Sequence, residues 1–194
     1  MRIDLIRKDA NENSDVRMPR PDVQATLRQT NIEDLFNRLS HFEEDRALYP
    51  WADRFVMGLP LPSWQRAFKW THTQQVRFIE SIWLGMDLAT HMVNDFEMSD
   101  GKSFDKFSNI VLDGQQRLRT IERYILNEFA VPDEQGKLRL WSDLGVRERR
   151  RFARTSFPRN ETRIWDEATL CEIYNRRNYG GTAHLEDERA VPAG

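Results

Sequence analysis

A chain of 194 residues, 39% hydrophobic and 31% charged, has material for one core and much polar surface, which fits one domain with an arm. Its 29 basic residues stand against 31 acidic ones, so it lacks the excess of a generally basic nucleic-acid binder, and any DNA contact must come from a local patch. A single cysteine, Cys171, excludes an internal disulfide and a cysteine-built zinc site, and no apolar run reaches membrane-spanning length.

The opening MRIDLIRKDANENSD lacks the apolar stretch of a signal peptide, so a cytoplasmic protein is expected. Residues 1–24 are polar, carry Pro19 and Pro21 and show little periodicity, which reads as an arm, loose or docked on a partner. Asn31 caps an expected helix over 32–42 with Leu35, Phe36 and Leu39 on one side, and Pro50 breaks the chain after the charged stretch 43–46. Residues 1–54 thus form an N-terminal arm and helix, and 55–194 the remaining domain.

A short strand is expected from Phe55 to Leu61, ending in the Pro60/Pro62 bend. Thr71 or Thr73 then caps a helix over 74–84 with Val76, Ile79, Ile82 and Trp83 as its apolar stripe, and Gly85 ends it. Two strands follow, 88–98 and 107–112, joined by the Ser-Asp-Gly-Lys turn at 99–102. The next helix starts after Asp113-Gly114 and carries Leu118, Ile121, Tyr124, Ile125 and Phe129 at three-to-four spacing. Residues 128–131 and 138–141 suit a hairpin, Ser142 caps a basic helix, and 167–174 forms a last helix leading into a Gly180-Gly181 loop. Strands mixed with helices, without regular βαβ alternation, give an α+β class.

The most informative segment is VLDGQQRLRTI, residues 111–121. A β-rich run stops at an Asp-Gly turn and a helix starts at once, leaving first-turn backbone N–H groups unpaired and their partial positive charge directed at whatever sits there. Gln115, Gln116 and Arg117 add donors at the same place, which suits phosphate. Asp113 can hold a metal ion, orient a water or cap the helix.

Two further segments carry polar residues of the same kind beside bends and aromatics. One is LPLPSWQRAFKW at 59–70 and the other CEIYNRRNYGGTAHL at 171–185. With the order Pro-aromatic-Gln-Arg, then DGQQR, then Asn-x-Gly-Gly-Thr, the chain resembles the N-terminal domain of GmrSD-type modification-dependent restriction systems, a branch of the ParB/sulfiredoxin-like superfamily. The resemblance runs from about Leu59 to Glu188. It implies a ParB/sulfiredoxin-like small mixed sheet with packed helices, plus a helical N-terminal extension, with 55–194 as the ParB-like DGQQR domain.

The resemblance also implies a nucleotide site, because relatives hold a nucleotide's phosphates at this strand-to-helix turn: ParB binds CTP and sulfiredoxin ATP. On that basis Asp113, Gln116 and Arg117 are the expected catalytic residues, with Asp113 acting on Mg²⁺ or water and Arg117 on phosphate. Gln65, Arg66, Gly114, Gln115, Arg177, Asn178, Gly180, Gly181 and Thr182 are the expected nucleotide-binding residues. Most members carry Tyr where Trp64 stands. Alanine at Arg117 is expected to abolish binding without unfolding the protein. The chain has no Walker-type phosphate loop.

Arg147, Arg150, Arg151 and Arg154 fall on one helical face and form an expected DNA-backbone contact. His184, near the Gly-Gly loop, is the one histidine to watch. The expected function is a nucleotide-binding, NTP-hydrolysing, DNA-associated domain that works with a separate HNH-type nuclease or another protein chain. The alternative is a non-catalytic DNA- or protein-binding module, in defence or phage counter-defence, that uses the pocket as an anion clamp.

Overall fold

The computed structural model describes residues 18–19, 23–179 and 191–192. Strand β1 (Thr26–Arg28) comes first, and the capping residues then decide where the early helices begin. Asn31 Oδ1 accepts the Asp34 amide at 3.2 Å while Asp34 Oδ2 accepts the Asn31 amide at 2.8 Å, a closed capping box that starts α1 (Ile32–Ser40). The short α2 (Phe42–Asp45) and a 3₁₀ turn follow. Thr71 and Gln74 make the second capping box and start α3 (His72–Trp83).

Between α2 and α3 the expected single strand is instead a hairpin of β2 (Arg54–Val56) and β3 (Leu59–Leu61). Its two-residue turn, Met57 (φ 49°) and Gly58 (φ 72°), is left-handed at both positions, the geometry that suits the twist of paired strands. Methionine is no turn former, so the bend is invisible locally. What compensates is tertiary: Glu122 accepts the Met57 amide at 2.7 Å, and Met57 itself is wholly buried.

The main sheet has four strands in the order β1-β8-β4-β5, where β4 is His91–Asn94, β5 Val111–Asp113 and β8 Arg159–Thr162. β4 and β8 run parallel and the outer pairs antiparallel, so the sheet is mixed. Alternation splits it into two cores. Val93 and Val111 join Ile32, Leu35, Ile79, Leu118, Ile121 and Phe152 on one side, while Met92 and Leu112 meet Phe107, Ile110, Leu170 and Ile173 on the other. Buried Asn94 ties the layers: its amide donates to Phe107 O and Ile164 O, and its carbonyl accepts from Thr162 Oγ1 and the Ile164 amide.

The remaining elements are α4 (Gln115–Ile125), a small hairpin β6 (Val131–Pro132) with β7 (Leu138–Arg139), α5 (Val146–Ala153) and α6 (Glu167–Tyr179). Among the described residues, six helices and small sheets make an α+β fold. Residues 26–40 are built into it, because β1 is a strand of the main sheet and Ile32 is completely buried.

Several boundaries differ from the sequence reading, each for a physical reason. The expected strand 88–98 is reduced to β4: Ala89 at φ 54° keeps it from starting at 88, and the β4–β5 register shifts within it at Met92/Val93. Phe107 (φ 73°) and Asn109 (φ 57°) likewise shorten the strand expected over 107–112. Ser142 lies in a 3₁₀ turn and α5 starts later, capped by Gly145. Strands β1 and β8 are polar three- and four-residue segments whose pairing is wholly non-local, so no alternation announced them. Among the described residues no helix is long and apolar enough to cross a membrane.

Candidate functional site

The site is built where β5 turns into α4. Gly114 takes φ 95°, and a Cβ there would lie 2.7 Å from the Cβ of His91 on β4, so only glycine lets the turn close against its neighbour. α4 opens without a side-chain cap. Asp113 therefore does not cap the helix, and the first-turn amides are left to the cleft above them.

That cleft measures about 170 Å³ and is lined by Gln65, Arg66, Trp70, Asp113, Gly114, Gln115, Gln116, Arg117, Tyr174, Arg177 and Asn178. The fold thus brings together residues that the sequence keeps in three separate segments. Gln65 and Arg66 come from the loop after β3, held by Arg54, whose Nη2 donates to the carbonyls of Pro62, Ser63 and Gln65. Arg177 and Asn178 come from the last turn of α6, which continues past Tyr174 to Tyr179, so these two residues stand on a helix rather than in a loop. Gly180, Gly181, Thr182 and His184 lie outside the described residues.

The side chains in the cleft divide by what they already hold. Gln116 is engaged at both side-chain atoms: its Oε1 accepts the Lys69 and Trp70 amides at 2.8 and 3.1 Å, and its Nε2 donates to Ala67 O at 3.2 Å. It clamps the 67–70 loop onto α4. Arg117 is similarly committed, donating to Leu88 O at 2.5 Å and Thr90 O at 2.9 Å and lying 5.5 Å above the Phe157 ring. Gln65 and Gln115 are different. Both are buried, and among the described residues neither Oε1 has a hydrogen-bond partner.

Asp113 sits between two guanidinium groups. Its Oδ2 is 3.1 Å from Arg177 Nη2, 3.3 Å from Arg177 Nε and 3.5 Å from Arg117 Nη2. Burial pushes the pKa of Arg66 and of Arg117 below the usual arginine range; in Arg117 the neighbouring Arg177 acts in the same direction and Asp113 opposes it. The place where the sequence pointed to a metal ligand is thus a carboxylate bridging two arginines. Among the described residues no group of three His, Cys, Asp or Glu could hold a metal ion.

Two residues of the site escaped the sequence reading. Tyr174 lies on the buried face of α6, accepts the Arg66 amide at its hydroxyl at 3.5 Å and packs edge-on against Trp64. His91 underlies Gly114; burial, then Arg159 and Arg117, push its pKa down to about 3. Neither carries a local signal, since both read as ordinary core positions. Cys171 packs against Trp64 and Tyr174, and burial raises its thiol to about 11, which makes it an inert packing residue.

The arginines of α5 stand apart from the cleft. Arg147, Arg150, Arg151 and Arg154 are all exposed, but Arg151 pairs with Glu148 at 2.8 Å and lies 5.1 Å over Trp83. It borders a different, larger cavity of about 950 Å³ between α3, the β6–β7 hairpin and α5.

Residues 52–188, well over half of the chain, match the family described as GmrSD restriction endonuclease, N-terminal domain. This chain belongs to that family. No curated protein and no solved structure matches it. The GmrSD-type domain includes the whole cleft described above, from Gln65 to Asn178, whereas α1 and β1 precede the matched residues.

Proposed function

We propose that this GmrSD-type domain is the nucleotide-binding part of a restriction system, with a ParB/sulfiredoxin-like arrangement that holds the phosphates of an NTP at the β5–α4 turn. The observation that carries this reading is the convergence of Arg66, Arg117 and Arg177, the side-chain NH2 groups of Gln65 and Gln115 and an uncapped helix start in one cleft. Donors of this kind recognise phosphate oxygens. A volume of about 170 Å³ lies below the roughly 300 Å³ at which sites for whole drug-sized ligands begin, so the cleft suits a phosphate chain rather than an entire nucleotide.

The residues divide into two roles in this reading. Arg66, Arg177, Gln65, Gln115, Asn178 and the backbone at Gly114 meet the ligand. Gln116 and Arg117 position the surrounding loops, with Arg117 adding charge from behind. Mg²⁺ arrives as the counter-ion of the phosphates, because the described side chains do not by themselves form a metal site. The domain works in the cytoplasm, on DNA, with an HNH-type nuclease supplied by another domain or chain. The exposed α5 arginines provide the sequence-independent DNA contact.

Hydrolysis requires Asp113 to leave its arginines before it can orient water. The same contact supports a second reading, in which the domain binds the anion without turning it over. Calorimetry with ATP, GTP, CTP and UTP, each with Mg²⁺, tests the proposal on wild type and Arg177→Gln. At least one NTP is expected to bind, and the variant to lose tenfold or more in affinity. Unchanged affinity in the variant sinks the assignment.

A further inference from the structure

Three guanidinium groups and one carboxylate line the cleft, those of Arg66, Arg117, Arg177 and Asp113. The carboxylate takes the place where an incoming phosphate oxygen would meet two of them. Arg117 cannot follow a ligand, because its nitrogens are fixed on the carbonyls of Leu88 and Thr90. Arg177 can, since its side chain is 35% exposed and lies in the last turn of α6. Its two nitrogens share a single Asp113 oxygen at 3.1 and 3.3 Å, longer than the roughly 2.7–2.9 Å of a well-made charge-assisted bond. This is a holding contact that a better acceptor exchanges.

We infer that Asp113 is an internal competitor for the phosphate site, and that it sets the charge a ligand must bring. The inference rests on the reading of the cleft as a phosphate site. Carboxylate and phosphate offer a guanidinium the same kind of acceptor, so a small anion displacing Asp113 from Arg177 exchanges like for like. Asp113 then stays on Arg117 and repels the newcomer. A polyphosphate overcomes that repulsion because its further charges reach Arg66 and the amides at the start of α4. Asp113 is thereby a specificity-determining residue that rejects inorganic phosphate and admits polyphosphate chains.

The sign of the effect separates this role from that of a metal ligand. Removing a metal ligand weakens binding, whereas removing a competitor strengthens it. The experiment is calorimetry on the full chain in EDTA, with inorganic phosphate, tripolyphosphate and ATP as titrants and wild type, Asp113→Asn and Asp113→Ser as proteins. Both variants remove the charge, so the result does not depend on one of them folding well. Each is expected to bind tripolyphosphate and ATP at least tenfold more tightly than wild type. Inorganic phosphate should gain more, narrowing the preference for polyphosphate. Wild type silent and the variants binding also supports the inference. If wild type binds tripolyphosphate and both variants bind it equally or more weakly, the competitor role is overturned while the phosphate site stands. If no protein binds any of the three, the phosphate site fails and the competitor with it.

Discussion

Replacing Arg117 by alanine should unfold the protein more readily before it says anything about a ligand. The guanidinium donates to Leu88 O and Thr90 O, on either side of Ala89, which is held at φ 54°. A left-handed alanine costs roughly 1–2 kcal/mol, so this bend persists only while both flanking carbonyls are anchored. Hydrogen bonds from a charged donor contribute about 1.5–3 kcal/mol each, and the Phe157 ring 5.5 Å away adds about 0.5–2 kcal/mol. These contributions overlap, so the two hydrogen bonds to Leu88 O and Thr90 O set the expected size of the effect, about 3–5 kcal/mol. In a chain of 194 residues that lowers the melting temperature by about 6–20 °C. Urea unfolding of wild type, Arg117→Ala and Arg117→Lys measures it, with lysine intermediate because it keeps the charge without the fork. A loss below about 1 kcal/mol in Arg117→Ala would refute this reasoning and return Arg117 to the role of a ligand contact alone.

His91 makes stability depend on pH. Its folded pKa of about 3 lies below that of a free imidazole, so the unfolded chain takes up a proton first. The contribution is complete above about pH 6.5 and is lost as pH falls toward about 3, with a limiting slope of about 1.4 kcal/mol per pH unit. His91→Phe, which keeps an aromatic ring against Phe157, should flatten the urea-unfolding profile over that window; an unchanged slope assigns the acid sensitivity elsewhere. Gly114→Ala should destabilise by about 2–5 kcal/mol, combining positive-φ strain with overpacking against His91, and an alanine variant as stable as wild type contradicts the turn geometry. Changing Arg147, Arg150 and Arg154 together to glutamine should leave stability within about 1 kcal/mol and reduce the salt slope of DNA binding by about 2–3, as three lost phosphate contacts require. A salt slope equal to that of wild type rules α5 out as the DNA contact.

Much of this protein was legible in its sequence because the signals are local. The capping boxes at Asn31 and Thr71, the stripe of Leu118, Ile121 and Tyr124 and the Asp113-Gly114 turn all announce themselves within a few residues. So do the three polar segments, and the match over residues 52–188 agrees with the family they suggested. Pairing was not legible. β1 and β8 have no alternation to betray them, and the Met57-Gly58 turn depends on Glu122, 65 residues away.

Side-chain roles followed the same division. Sequence alone determined which groups could enter the site, since the order of motifs and the glycine at 114 required a donor-rich turn of strand into helix. Only the tertiary structure decided which of those groups are still available. Arg117 and Gln116 are polar residues of the right type in the right motif, yet the carbonyls of residues 67, 88 and 90 and the amides of 69 and 70 have already taken them up. Gln65 and Gln115, of the same residue type, keep an unpartnered side-chain oxygen in the cleft, and Arg177 is held there only by its long contacts to Asp113. A residue's chemistry is written in its type, but its hydrogen-bonding capacity is finite, and neighbours brought in by the fold determine how much of it remains for a ligand.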